Sequence, residues 1–248
     1  MSFEFLAPDA AQPAAGEVPS LRSPIEWAHR RKGARLRERA GWRVVAGYGS
    51  TPKEVAACQA SVAVADVSFL GKLELQGEPG VVSSIVAQLA GGAGLEPGRA
   101  TFHDEVWWCP ISADRALVLT PPELTRRLRE ELEAAAAGDS FASVHEVTTT
   151  FGSNAVVGPL ARETFARATA LDLRPDRFTE AAFAPVSVAR TPGMLLREGG
   201  DRYLHLFGAG YAHYTWGVLI DAAEHLGGRA VGVEALSAAR PGEVQADA

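Results

Sequence analysis

Residues Ser23–Gly77 read SPIEWAHRRKGARLRERAGWRVVAGYGSTPKEVAACQASVAVADVSFLGKLELQG. Patterning predicts, in order, a basic helix, an Ala-Gly-Trp turn, a Tyr-Gly-Ser turn and a second helix, then an Ala-Asp-Val-Ser segment and a strand beginning Gly-Lys-Leu-Glu-Leu. The basic cluster, His29 to Lys32 with Arg35, Arg37 and Arg39, is placed on the first helix. Such a face is either solvated or drawn to an anionic ligand or an acidic partner surface. Cys58, beside Ala56 and Ala57 in the second helix, reads as a small buried hydrophobe.

Beyond this stretch a pattern repeats. Lys72 to Leu89 gives a strand, a Glu-Pro-Gly turn and a helix; Asn154 to Thr169 gives a strand and a helix with Pro159 in its first turn. Asp114 and Asp201, 87 residues apart, each open a strand, a Pro or Gly turn and a long amphipathic helix. Gly77 and Gly158 are 81 apart. Two similar spacings predict two related lobes, residues 21–145 and 146–240, flanked by loose tails at 1–20 and 241–248. Phe3, Phe5 and Leu6 of the first tail are apolar enough to anchor on a partner. Glu198-Gly199-Gly200-Asp201 marks a hairpin, so the expected class is α+β: antiparallel sheets covered by helices.

Composition sets outer bounds. The chain has 248 residues, 47% hydrophobic and 22% charged, enough for a sizeable core. A net charge of -6 with interspersed signs leaves no basic footprint for nucleic acid. No apolar run approaches the roughly 20 residues that span a bilayer. The acidic, Pro/Ala-rich start lacks the charged and apolar regions of a signal peptide, which places the protein in the cytoplasm. Cys58 and Cys109 make no disulfide framework. His103-Asp104-Glu105 is contiguous, so a strand would splay its side chains instead of gathering them around a metal. There is no Gly-x-Ser-x-Gly elbow, and Gly208-Ala209-Gly210 is a helix-start turn.

The order of elements in Ser23–Gly77, with Asp66-Val67-Ser68-Phe69-Leu70, resembles the N-terminal part of the glycine cleavage T-protein (aminomethyltransferase) family, a folate-binding fold. The resemblance runs from about Ser23 to about Pro241 and ends in GGRAVGVEALSAARPGE, Gly227 to Glu243. The T-protein continues into a third, barrel-like domain, and no counterpart of it is expected here. In this, and in VVGPLARETFARATALDLRPDRF and APVSVARTPGMLLR, it looks like the gamma subunit of heterotetrameric sarcosine oxidases. The resemblance implies two α+β lobes, a possible tetrahydrofolate site, and flavins held only by flavoprotein partner subunits.

Three departures bear on chemistry. The family's Asn-Asp pair is replaced by glycine and alanine around Gly91 to Ala93. Glu96 and Asp104 are the nearest candidate acids. The glutamate that grips the pterin edge falls at or near Leu204, which accepts no hydrogen bond. The Lys-Gly-Cys motif of the iron-sulfur repair relatives is absent. No catalytic residue is therefore assigned. A surviving pocket is expected between the lobes, near Asp66, Ser68, Leu70, Asp104, Trp107 and Arg190. Asp66 and Ser68 equally suit a local turn that bonds nearby amides, and Arg190 equally suits an ion pair with Glu198 or Asp201. Trp107 and Trp108 fall on opposite faces of a strand, one in the core and one on the cleft or a partner. Tyr211, Thr215 and Val218 form one helix stripe, for core packing or ligand stacking. Thr148 to Thr150 fit a half-exposed strand.

Overall fold

A computed structural model describes residues 20–138 and 141–239. The expectations for the tails therefore lie largely outside the described residues. The chain opens with β1 (Leu21–Arg22), α1 (Glu26–Arg31), β2 (Arg35–Arg39), β3 (Trp42–Gly47), α2 (Thr51–Ala60) and β4 (Ala63–Asp66). Next come β5 (Gly71–Gln76), α3 (Pro79–Leu89), β6 (Thr101–His103), β7 (Val106–Ser112), β8 (Arg115–Thr120), α4 (Thr125–Ala136) and β9 (Ser143–Glu146). The rest is β10 (Phe151–Val157), α5 (Ala161–Ala166), β11 (Phe183–Val188), β12 (Thr191–Gly199), β13 (Arg202–Gly208), α6 (Ala212–Glu224), β14 (Arg229–Ala230) and α7 (Val233–Ala238).

The basic cluster is not one helix. Gly33, at φ +76°, ends α1, and Arg35-Leu36-Arg37-Glu38-Arg39 then alternates as β2, antiparallel to β3. Ala40 and Gly41, both at positive φ, make the tight turn between them. Thr148 to Thr150 form a 3-10 turn instead of a strand, because the buried Thr148 Oγ1 accepts the Lys72 amide N–H at 3.1 Å. Pro159 lies just before α5, outside its first turn.

Two sheets dominate. One runs β6-β7-β8-β5-β9, the other β11-β12-β13-β10-β4-β14. The strand orders match: three consecutive strands, then the strand preceding them in sequence. β4, which lies within residues 21–145, extends the second sheet beside β10. Most pairings are antiparallel, and no sheet among the described residues closes into a barrel. The inner faces share one apolar core, with Leu117 and Leu119 from the first sheet and Ala155, Leu196 and Leu204 from the second. α3 and α4 cover the outer face of the first sheet, while α5 and α6 cover that of the second. α4 shows why: Thr125, Leu128, Leu132 and Ala136 recur every three or four residues and are buried, while Arg126, Arg127, Glu130 and Glu133 are exposed. A fully buried leucine such as Leu132 contributes about 1.5–3 kcal/mol.

Candidate functional site

The segment joining β4 to β5 reaches the cleft between the sheets, and it is pinned from both sides. Asp66 is fully buried at the end of β4. Its Oδ1 accepts the Ser68 amide at 2.9 Å and the Ser68 hydroxyl at 2.6 Å. Its Oδ2 accepts the Ser23 hydroxyl and lies 2.8 Å from His29 Nε2. A carboxylate there requires His29 to donate from Nε2, so Nδ1 accepts the Tyr48 hydroxyl at 2.7 Å. Burial alone would raise the Asp66 carboxyl. The hydrogen bond from His29, with those from Ser23 and Ser68, outweighs it and holds the pKa below the ordinary value. Ser153 closes the ring of bonds by donating its hydroxyl to Val67 O at 2.9 Å and its amide to Ser68 Oγ at 3.1 Å.

From the other side, Lys72 lies wholly buried on β5 and donates Nζ to Ser68 O at 3.0 Å and Leu70 O at 2.7 Å. Burial pulls its ammonium down to about 7, against a smaller opposing pull from the Asp66 charge. Gly71 is obligatory here, because a Cβ would meet Thr125 Oγ1 at 2.0 Å.

A cavity of about 240 Å³ opens between the sheets at this segment. Val67, Phe69, Leu70, Ala155, Leu204 and Leu236 supply its apolar wall. Arg39, Glu105, Glu198, Arg202 and Ser237 supply its polar groups. Arg39 is held by Glu123 through two hydrogen bonds, and Arg202 lies 3.7 Å from Glu198.

The structure disperses the residues singled out in the sequence. Leu70 lines the cavity. Asp66 sits opposite Asn154 in register, one step from the Ala65–Ala155 pair, so its side chain turns to the other face of the sheet, toward His29 and α6. Ser68 is bonded to it. Asp104 is exposed on the β6–β7 turn and lines a second cavity with His103, Trp108 and Arg127. Trp107 is half-buried against Phe102, with ring centroids 4.8 Å apart, and Trp108 is core. Arg190 is exposed at φ +62° in the β11–β12 turn. That is the far end of β12 from Glu198, whose partner is Arg202, so the expected hairpin ion pair is not formed. Glu96 is exposed and is not among the residues lining the 240 Å³ cavity.

Around Gly91 the chain closes α3, with Gly92 N donating to Ala87 O at 2.8 Å and both glycines at positive φ. Gly91 is at φ +64°, which favours glycine, and a Cβ there would meet the edge of the His103 ring at 2.7 Å, so a side chain would have to displace that ring. Tyr211 and Tyr214 are exposed, whereas Thr215 and Trp216 are buried. Cys58 is buried as expected, and burial raises its thiol to about 11. Arg202 has no role in the sequence reading, while Arg39, Glu105 and Glu198 appear there in other roles and not as lining of this cavity. The one available signal was the Glu198–Arg202 spacing across a hairpin.

A family model described as the GCVT N-terminal domain matches residues 25–243. The aminomethyltransferase of Mycobacterium bovis (strain ATCC BAA-935 / AF2122/97) is 29% identical over 196 residues, 74% of this chain and 51% of that protein. The Streptomyces coelicolor aminomethyltransferase is 26% identical over 220 residues, 83% of this chain and 58% of that protein. The chain thus spans about half the length of the curated relatives it matches. Among solved structures, the glycine cleavage system aminomethyltransferase T of Bartonella henselae superposes with a TM-score of 0.71 at 20% identity, covering 87% of this chain and 60% of that one. A chain of the heterotetrameric sarcosine oxidase from Corynebacterium sp. U-96 gives 0.61 at 23% identity, covering 72% and 93%. These two likenesses are of fold. With the family model spanning nearly all of the described residues, the chain belongs to the GCVT N-terminal domain family, that of the aminomethyltransferases it resembles in sequence.

Proposed function

We propose that this chain is a non-catalytic accessory subunit of a flavin-dependent, sarcosine- or methylamine-oxidase-type complex in the cytoplasm, whose partner subunits carry the flavins. The observation that carries this reading is the wall at Leu204. Where the resemblance expects a carboxylate to accept the N–H groups of a pterin, this cavity presents a buried leucine flanked by Leu70 and Leu236. A pterin lying against this leucine finds no acceptor at that position, and each N–H donor so left unpaired costs about 1–3 kcal/mol. The residues present therefore do not fit tetrahydrofolate in the expected way, and no reaction step is derived through it. The fold shared with a chain of a sarcosine oxidase heterotetramer supports a hetero-oligomeric setting. No helix among the described residues is long and apolar enough to cross a membrane.

One observation favours a second reading, a tetrahydrofolate-dependent aminomethyltransferase or a stand-alone folate-binding protein. Glu105 and Glu198 both line the cavity, and either would supply a carboxylate in place of the missing acid.

Isothermal titration of the full chain with tetrahydrofolate separates the two. The accessory reading expects no heat of binding, and it expects a flavoprotein to co-purify with the tagged chain from its own cells. Micromolar binding that Glu198→Gln abolishes would overturn it in favour of the folate reading.

A further inference from the structure

A second concavity, of about 460 Å³, opens away from the cleft, where the end of α1, the start of α2 and β14 meet. Its cations are Lys32, Lys53 and Arg229. The chain carries 24 lysines and arginines, and only Lys32, Lys53 and Lys72 are lysines. Lys72 is interior, so both surface lysines of the protein line this one pocket.

The carboxylates here do not balance these charges. Glu54 is buried, and its two oxygens accept the amides of Tyr48 at 2.7 Å and Gly232 at 2.8 Å. Glu224 lies 3.4 Å from Lys32. Lys53 and Arg229 make no ion pair among the described residues. Several arginines elsewhere on this acidic protein have a carboxylate partner, as in Arg35–Glu234, Arg39–Glu123, Arg127–Glu131 and Arg174–Asp172. Uncharged groups complete the wall. Ser50 makes no side-chain cap bond to α2, which leaves its hydroxyl available. The Tyr48 hydroxyl is fixed by His29 and presents an acceptor lone pair for a protonated ligand oxygen.

We infer that this pocket binds a small multivalent anion bearing phosphate or carboxylate groups. Arg229 matches a planar or tetrahedral anion through paired N–H donors, and the two lysines act as point charges around it. This inference is independent of the accessory-subunit reading.

The test is titration calorimetry of the full chain at fixed ionic strength with two probes, inorganic pyrophosphate and citrate, which separate the phosphate source from the carboxylate source. We expect saturable binding of one probe. The pair K53Q and R229Q should weaken it at least tenfold, equivalent to about 1.4 kcal/mol. A control pair that removes equal charge elsewhere, R127Q and R162Q, should leave it within about twofold. No binding of either probe overturns the inference. Equal weakening by both pairs also overturns it, since that would reduce the effect to net charge.

Discussion

Asp66→Ala should cost about 3–5 kcal/mol of stability, the range for removing one partner of a buried charged network. In a chain of this size that lowers Tm by roughly 10 °C. The reason lies in what the carboxylate satisfies. It accepts from His29, the Ser68 hydroxyl and the Ser68 amide, all buried, and from the half-buried Ser23. Alanine orphans the buried donors of His29 and Ser68 at once, and an unmade buried hydrogen bond costs more than a made one contributes. Asp66→Asn should fall between the two. Its amide oxygen can still accept from Ser68, but its NH₂ faces His29 Nε2 and forces the ring to the other tautomer, against the Tyr48 hydroxyl. Differential scanning calorimetry checks both variants. Hydrogen exchange at Ser68 and Leu70 should accelerate in the alanine variant. A Tm within about 2 °C of the parent would show that the network contributes little. The variant also discriminates roles. Asp66 points away from the 240 Å³ cavity, so if the folate reading holds, Asp66→Asn should retain ligand affinity while losing stability.

This residue also shows what a sequence yields and where it stops. Asp66 and Ser68 were legible as a pair, because an acid two residues before a serine in a turn has local bonds available to it. The face of the sheet was not legible. It depends on register against β10, and a one-residue difference moves a side chain from the cleft to the far side. The fold was legible at its repeats, because the period of α4 and the glycine stop of α3 are both local signals. The basic segment failed as a helix because Arg35 to Arg39 satisfies both a charged-helix and an alternating-strand reading. The turn at Ala40 and Gly41 decides between them. Glu105 and Glu198 were not legible as cavity residues. They come from two hairpins about ninety residues apart, and only the packing of the two sheets brings them to one wall. The loss of the family's acid around Gly91 was legible, and the positive φ of Gly91 shows a backbone turn suited to glycine there.

Raising the pH from 7 to 9 should stabilise the protein, with a slope of at most about 1.4 kcal/mol per pH unit from one proton. Lys72 is the source. Its unfolded-state pKa of 10.5 falls to about 7 in the fold, so between these values the unfolded chain binds the extra proton and stability rises with pH. Below 7 both states carry it and this slope vanishes. His205 builds a second, acid leg. It is fully buried with neither ring nitrogen bonded to a protein group among the described residues, and burial moves it from 6.5 down to about 3. Stability therefore falls as the pH drops from about 6.5 toward 3. Asp66 adds to the acid loss only lower down, below its ordinary 3.8, as its depressed carboxyl takes up a proton. The net charge of -6 grows more negative with pH and opposes the alkaline rise, but spread over a solvated surface it is screened within about 8–10 Å. Urea denaturation at pH 5, 7 and 9 reads all of this. Lys72→Met should flatten the leg from 7 to 9 and leave the acid leg intact. His205→Leu should flatten the leg above pH 4 and leave the alkaline rise. A wild-type midpoint that is level or falling between pH 7 and 9 would mean that Lys72 stays charged in the fold. Its two carbonyl contacts, with Asp66 nearby, would then suffice to solvate an ammonium.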